Sequence, residues 1–373
     1  GTPPALTPEQ AEQRIEELKR RLRDFPLARA ENTRQIVSLL NYLGADAYRH
    51  RDFDTSLSRF REAADFDAHD PRAQLGLAAS YLAQGQDLYA RSTLERALVE
   101  HPDDPDLLTL VGDVYDSEER PQDALDAWEK AQSIHPQEGV RRRIDKLRRE
   151  QSVEGDYRRA EAAHFTLMYD GARGGENLDD AILSYLEQQF TTLVTTFDYY
   201  PRQPIVVIVY PLRQFHEATL AESDVAGLYD GKIRVPIGGL KRLDAEAKQV
   251  LLHELAHAFI AGKSLGTAPR WLHEGLAQQI EGRTTPRGTA VELARRYQTL
   301  SDRASWGTTF SYPSSLSFVE FLVAREGLPH LVDVLQAMGE GLQEEAAFER
   351  VTRYSLTELR QAWGESLVST YLQ

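Results

Sequence analysis

Four side chains with the chemistry to bind a metal and move a proton stand near one another in the chain: His253, Glu254, His257 and Glu274. His253 and His257 are four residues apart, so on a helix they lie one turn apart on one face and both imidazoles reach a single ion. Glu254 falls beside them, where a carboxylate accepts a proton from metal-held water. Glu274 follows His257 by 17 residues, which leaves room for a short loop and an antiparallel return carrying a third ligand. The expected chemistry is that of a His₂Glu zinc site with its fourth position open to water. A longer motif with Gly at 260 and a third His at 263 is excluded, because Ile260 and Lys263 stand there. His273 adjoins Glu274 as a competing ligand, although it points about 100° around the helix from it.

The elements that must hold these groups are readable. Asp244 is a good N-cap for a helix running to Gly262, and a second helix starts near Pro269 and ends at Gly282. Upstream, His164–Tyr169 alternates as a strand ended by Asp170-Gly171, and Pro204–Tyr210 reads as another. Between them Leu186, Phe190, Leu193, Val194 and Phe197 mark a helix over 179–198. Gly227–Pro236 reads as a hairpin. Helices are expected at 315–325, 328–339 and 355–371, the last with a capping box of Ser355 and Glu358.

The first half repeats with a period of 34 in blocks 37–70, 71–104 and 105–138. Repeat position 8 holds Gly44, Ala78 and Gly112, position 20 holds Ser56, Ala90 and Ala124, and position 27 holds Ala63, Ala97 and Ala131. Large residues recur at position 24 as Phe60, Leu94 and Trp128. Small residues let two antiparallel helices approach closely, and large ones fill the space between neighbouring pairs. This pattern resembles the tetratricopeptide repeat family. Asp106, Asp113 and Asp116 on the inner face of the third block should repel a carboxylate, which disfavours docking of a C-terminal carboxylate peptide.

HELAHAF at 253–259 and PRWLHEGLAQQIEG at 269–282, preceded by GLYDGKIRVP at 227–236, resemble the MA-clan gluzincin peptidases. The resemblance is closest to bacterial peptidase-MA-like domains that carry tetratricopeptide repeats, and it covers roughly 164–373. It implies that His253, His257 and Glu274 are zinc ligands and Glu254 the catalytic base. It also implies that Lys232, Ile233, Arg234 and Val235 form the edge strand above the cleft, against which an extended substrate peptide pairs. Thermolysin-like gluzincins orient a zinc histidine with an Asp four residues after the ligand Glu. Here that place is Gln278, a neutral amide that accepts from imidazole but raises ligand basicity less. The oxyanion donor is expected at Tyr312, which precedes a helix whose family counterparts lie near the active site, with Tyr229 and His216 as alternatives.

Composition narrows the partners. A net charge of −15, spread over both halves, repels phosphate backbones and argues against nucleic acid. The basic run Arg141–Arg149 reads as a solvated helix face. Without cysteine there are no disulfides or thiolate ligands, and no apolar run approaches the roughly 18 residues of a membrane span. The start at Gly1-Thr2-Pro3-Pro4 and the absent cysteines lead to an expectation of export, to a bacterial periplasm.

The expected fold is α+β and mostly α. Capping helices occupy 1–36, three repeats 37–138 and a capping or linker helix 139–160. A zincin-like domain with a small mixed sheet spans 161–373. The expected function is a zinc-dependent endopeptidase in which Glu254 activates a zinc-bound water, the repeats recruiting substrate or a protein partner. An aminopeptidase needs an acidic anchor for the substrate N-terminus, and GKIRVP offers no carboxylate. The competing reading is a non-catalytic adaptor that binds proteins through its repeats. Residues 283–310 are a candidate cover for the cleft.

Overall fold

Asp-Pro pairs start the inner helices of the first half. Asp70 accepts a hydrogen bond from the Ala73 amide at 2.8 Å, and Asp104 from the Leu107 amide at 3.0 Å. Pro71 and Pro105 then occupy the first helical position, where a missing N–H costs nothing. The computed structural model describes residues 6–24, 29–171, 177–222, 225–300 and 305–372. The chain divides into two units, Gly1–Gln151 and Ser152–Gln373.

Helices α1 (Pro8–Asp24), α2 (Arg29–Arg49), α3 (Phe53–Phe66), α4 (Pro71–Ala83), α5 (Asp87–Glu100), α6 (Pro105–Ser117) and α7 (Pro121–Ile134) make up the first unit, and most of α8 (Glu138–Glu154) follows. Size complementarity holds the repeats. A Cβ on Gly44 would come within 2.9 Å of the Phe60 ring, and one on Gly76 would overlap the same ring from the other side. A Cβ on Gly112 would lie 2.5 Å from Trp128. Where the large residue shrinks to Leu94, the small one grows to Ala78, and both are fully buried. The basic run on α8 is paired within this unit: Arg141 and Arg142 with Glu138, Arg143 with Asp113, and Arg148 with Glu129.

The second unit contains β1 (Arg158–Glu161), β2 (Phe165–Tyr169), α9 (Leu178–Phe197), β3 (Ile205–Val209), α10 (Leu212–Thr219), β4 (Leu228–Tyr229) and β5 (Ile233–Val235). Then come α11 (Ala245–Ser264), α12 (Arg270–Ile280), α13 (Arg287–Thr299), α14 (Tyr312–Glu326), α15 (Leu328–Gly339), α16 (Glu344–Thr352) and α17 (Leu356–Tyr371). The sheet order is β1-β2-β3-β5-β4, with β2, β3 and β5 parallel and the two outer strands antiparallel. Alternation decides which face each residue takes. Phe165, Leu167, Val207, Val209, Ile233 and Val235 join the core built on α9 and α11, while Ile208 and Tyr210 pack with Phe215 of α10 on the other face.

Three expectations change here. Residues 158–160 are not part of a capping helix, because β1 pairs antiparallel with β2, Arg158 opposite Tyr169. Lys232–Val235 is not an edge: β5 sits between β3 and β4, with Ile233, Arg234 and Val235 all buried. The edge on that side is β4. Within 283–310, α13 buries Ala290, Leu293, Ala294 and Tyr297 in the core and packs against α17, so it is not a cover. Residues 301–304 of that stretch, and the opening Gly1–Pro4, lie outside the described residues.

Opposite signs are expected for two glycine replacements. Gly112→Ala should lower stability, because overpacking against Trp128 costs about 1–3 kcal/mol and outweighs a helix-propensity gain of about 1 kcal/mol. Gly139→Ala, with nothing within 4 Å, should raise it by up to about 1 kcal/mol. Urea midpoints of the two variants and the wild type check both.

Candidate metal centre

Asp244 caps α11, accepting from the Ala247 amide at 2.9 Å. That helix ends where Leu265 (φ 49°) and Gly266 (φ 73°) turn left-handed, and α12 then starts at Arg270. The turn folds α12 back on α11, and Glu274 meets the two histidines. His253 Nε2 and His257 Nε2 lie 3.2 Å apart, and Glu274 Oε2 lies 3.6 and 3.7 Å from them. Ligand atoms bound tetrahedrally at about 2.0–2.2 Å stand about 3.3–3.6 Å from one another. The three atoms therefore fit three corners of a zinc site. Among the described residues no other group of three His, Asp or Glu converges in this way.

The outward-facing ring nitrogens have different neighbours. His253 Nδ1 lies 3.3 Å from Glu281 Oε1, and His257 Nδ1 lies 3.3 Å from His273 Nδ1. His273 thus backs the far side of a ligand ring instead of meeting the three donor atoms. Glu254 is only 5% exposed. The chain leading into β4 lies over it, since a Cβ on Gly227 would fall 2.6 Å from Glu254 Oε1.

Burial pushes the Glu254 carboxyl up to about 7; nearby His253 opposes the rise, and Glu274 and Glu281 add to it. For His253, burial works downward, but the carboxylates of Glu274, Glu281 and Glu254 outweigh it and raise the imidazole to about 9. Burial and the His253 charge push His257 down to about 3. Burial would raise Glu274, yet the imidazoles hold it below the usual carboxylate value.

The remaining candidates separate. Gln278 does not reach an imidazole: its Nε2 donates to Glu274 O at 3.0 Å and Tyr312 O at 3.4 Å. Tyr312 is half-exposed at the start of α14, and its hydroxyl oxygen accepts from Arg270 Nη2 at 3.2 Å. Arg270 stacks on Phe310 and is one turn before Glu274 on α12. Tyr229 is in β4, and burial pushes its phenol up to about 12. The His216 Nδ1 faces Ala221 O at 3.0 Å within its own turn. On β5, Arg234 is bound to Glu154 at 2.7 Å and Asp230 at 3.3 Å, which leaves no strand surface for a substrate. Sequence reasoning missed Glu281 and Gly227. The first was signalled by its place seven residues, or two turns, after Glu274.

Residues 47–114 match the family model of the tetratricopeptide repeat, so the first unit carries these repeats. No curated protein matches the chain. Among solved structures, the tetratricopeptide domain of Arabidopsis OM64 is similar at 15% identity and a TM-score of 0.30, covering 31% of this chain and 97% of that one. The TPR2AB-domain:pHSP90 complex of yeast Sti1 is similar at 13% identity and a TM-score of 0.30, covering 81% of this chain and 98% of that one.

Uptake of a metal ion by His253 must displace the proton its imidazole holds up to about pH 9. Apparent zinc affinity of the metal-free protein should therefore fall about tenfold per pH unit below that value. Chelator-competition titrations between about pH 9 and pH 6 measure this slope, and a flat profile would contradict it.

Proposed function

We propose that this protein is a zinc-dependent endopeptidase whose tetratricopeptide repeats recruit a protein substrate or partner. The observation that carries the reading is the convergence of His253 Nε2, His257 Nε2 and Glu274 Oε2 within 3.7 Å, beside a buried glutamate that is not one of them. When bound there, zinc supplies a Lewis acid that polarises a scissile carbonyl and acidifies water. The Glu254 carboxylate takes a proton from the attacking water and hands it to the leaving amine.

Tyr312 stabilises the developing oxyanion in this reading. Its oxygen accepts from Arg270, which leaves the phenolic O–H free to donate to substrate. In this reading an extended peptide pairs with the outer side of β4, Leu228–Tyr229, the strand at that end of the sheet. No helix among the described residues is long and apolar enough to cross a membrane.

The repeat match over 47–114 also favours a second reading, a non-catalytic adaptor with a peptidase-like docking module. Metal analysis and a peptide-library cleavage assay decide between them. Wild type should carry one zinc and cleave peptides, and Glu274→Ala should lose the metal. Glu254→Gln should keep the metal and lose cleavage, whereas the adaptor reading expects no cleavage from wild type and unchanged partner binding in Glu254→Gln. Tyr312→Phe should lower kcat by about 10²–10³ with zinc content unchanged. A kcat within threefold of wild type would remove Tyr312 from the mechanism.

A further inference from the structure

Glu281 is in an unfavourable place for a carboxylate. It is the C-cap of α12, where the helix dipole disfavours negative charge, and its side chain is 2% exposed. Desolvating a carboxylate costs several kcal/mol unless partners satisfy it. Arg283 Nε, at 2.6 Å, is one partner, and that arginine is itself 62% exposed. The other group facing the carboxylate is His253 Nδ1 at 3.3 Å. That nitrogen and the Glu281 Oε1 it faces are both buried, and neither completes a hydrogen bond among the described residues.

We propose that Glu281 is the positioning residue of the metal centre, taking the Nδ1–H of His253 so that the ring presents Nε2 to the ion. The inference rests on the metal reading above. A histidine that ligates through Nε2 must carry its proton on Nδ1, and a carboxylate facing Nδ1 holds that tautomer and ring angle and makes the ligand more basic. Glu281 is reached seven residues after Glu274, two turns along the same face, instead of four. Gln278, at the nearer position, spends its amide on backbone carbonyls. His257 is held by a neutral neighbour, His273 Nδ1, which must accept when His257 Nδ1 carries the proton. The two ligand rings are thus backed unequally, and the charged support belongs to His253.

The test uses the full chain. Zinc affinities of wild type, Glu281→Gln and Glu281→Ala are measured by competition with a chromophoric chelator, after circular dichroism of each metal-free protein. Glu281→Ala should bind zinc about 10–100-fold more weakly. Glu281→Gln, which still offers a carbonyl oxygen to the N–H, should fall between it and wild type. If Glu281→Ala binds zinc as tightly as wild type, Glu281 is not a positioning residue. Should Glu281→Ala fail to fold, histidine-selective ¹⁵N NMR of zinc-loaded wild type decides. A slowly exchanging, downfield Nδ1–H on His253, identified by its upfield shift in Glu281→Gln, supports the proposal, and its absence in wild type overturns it. A wild type that takes up no zinc overturns this inference and the metal reading together, whereas intact wild-type binding with an unaffected Glu281→Ala overturns this inference alone.

Discussion

The closeness of α11 and α12 is the constraint on which the site depends. Two imidazoles on one helix are brought together by the 3.6-residue period, but a third donor on another helix must be delivered by packing. Gly275 makes that delivery possible. A Cβ there would lie 2.6 Å from Ser315 O and 2.5 Å from the Val319 side chain. So α12 is in backbone contact with α14 on one side while Glu274, the preceding residue, faces the histidines on the other. Any side chain at 275 forces α12 away from α14 and moves Glu274 with it. Leu265 and Gly266 complete the arrangement with a tight left-handed turn, the first at the steric cost of a non-glycine residue at φ 49°.

Acidic groups gather at this junction, and one of them, Glu281, is paired with Arg283. Glu254, Glu274 and Glu281 gather round two imidazoles, and Glu254 and Glu281 are nearly sealed from water. Buried carboxylates of like sign raise one another's proton affinity, as burial and its neighbours do for Glu254. On the metal reading proposed above, a divalent ion at the donor atoms would offset the negative charge left there and favour the ionised forms. The clustering of acids is costly as a purely structural device. It is well matched to an ion held by neutral imidazoles and one carboxylate.

How much of this was legible depends on the range of the interactions involved. His253, Glu254 and His257 were legible because their relation is local to one helix, and Glu274 because a 17-residue return is short. The repeats were legible because Gly112 and Trp128, or Ala78 and Leu94, are complementary pairs recurring at fixed spacing. The strand order was not, because it is set by pairing between distant segments: nothing in GKIRVP distinguishes a strand flanked on both sides from an edge. Arg234, named with the edge strand, is only 1% exposed, because Glu154, 80 residues away in the chain, pairs with its guanidinium. Gln278 was given a role from the place an Asp holds in thermolysin-like gluzincins, and the direction of its amide was decided by carbonyls on α12 and at Tyr312. Glu281 was overlooked because a helix end disguises a residue that still shares the face of Glu274 two turns earlier.

Arg234 also shows how the sheet's far face reaches the site. Its guanidinium is bound by Glu154 and Asp230 and by the Tyr210 hydroxyl, whose proton is kept in place because burial pushes the phenol far above its ordinary value. A buried guanidinium is tolerated only when so surrounded, and breaking such a set leaves an uncompensated charge. Asp230 belongs to the turn joining β4 and β5, so the same ion pair that holds β5 in the sheet also holds that turn. The turn fixes β4, and the chain entering β4 carries Gly227 against Glu254. The burial that raises the Glu254 carboxyl therefore depends on a charge cluster on the opposite side of the sheet. Loosening that cluster would let water reach Glu254 and return its carboxyl toward the ordinary carboxylate range, without touching any of the three donor atoms.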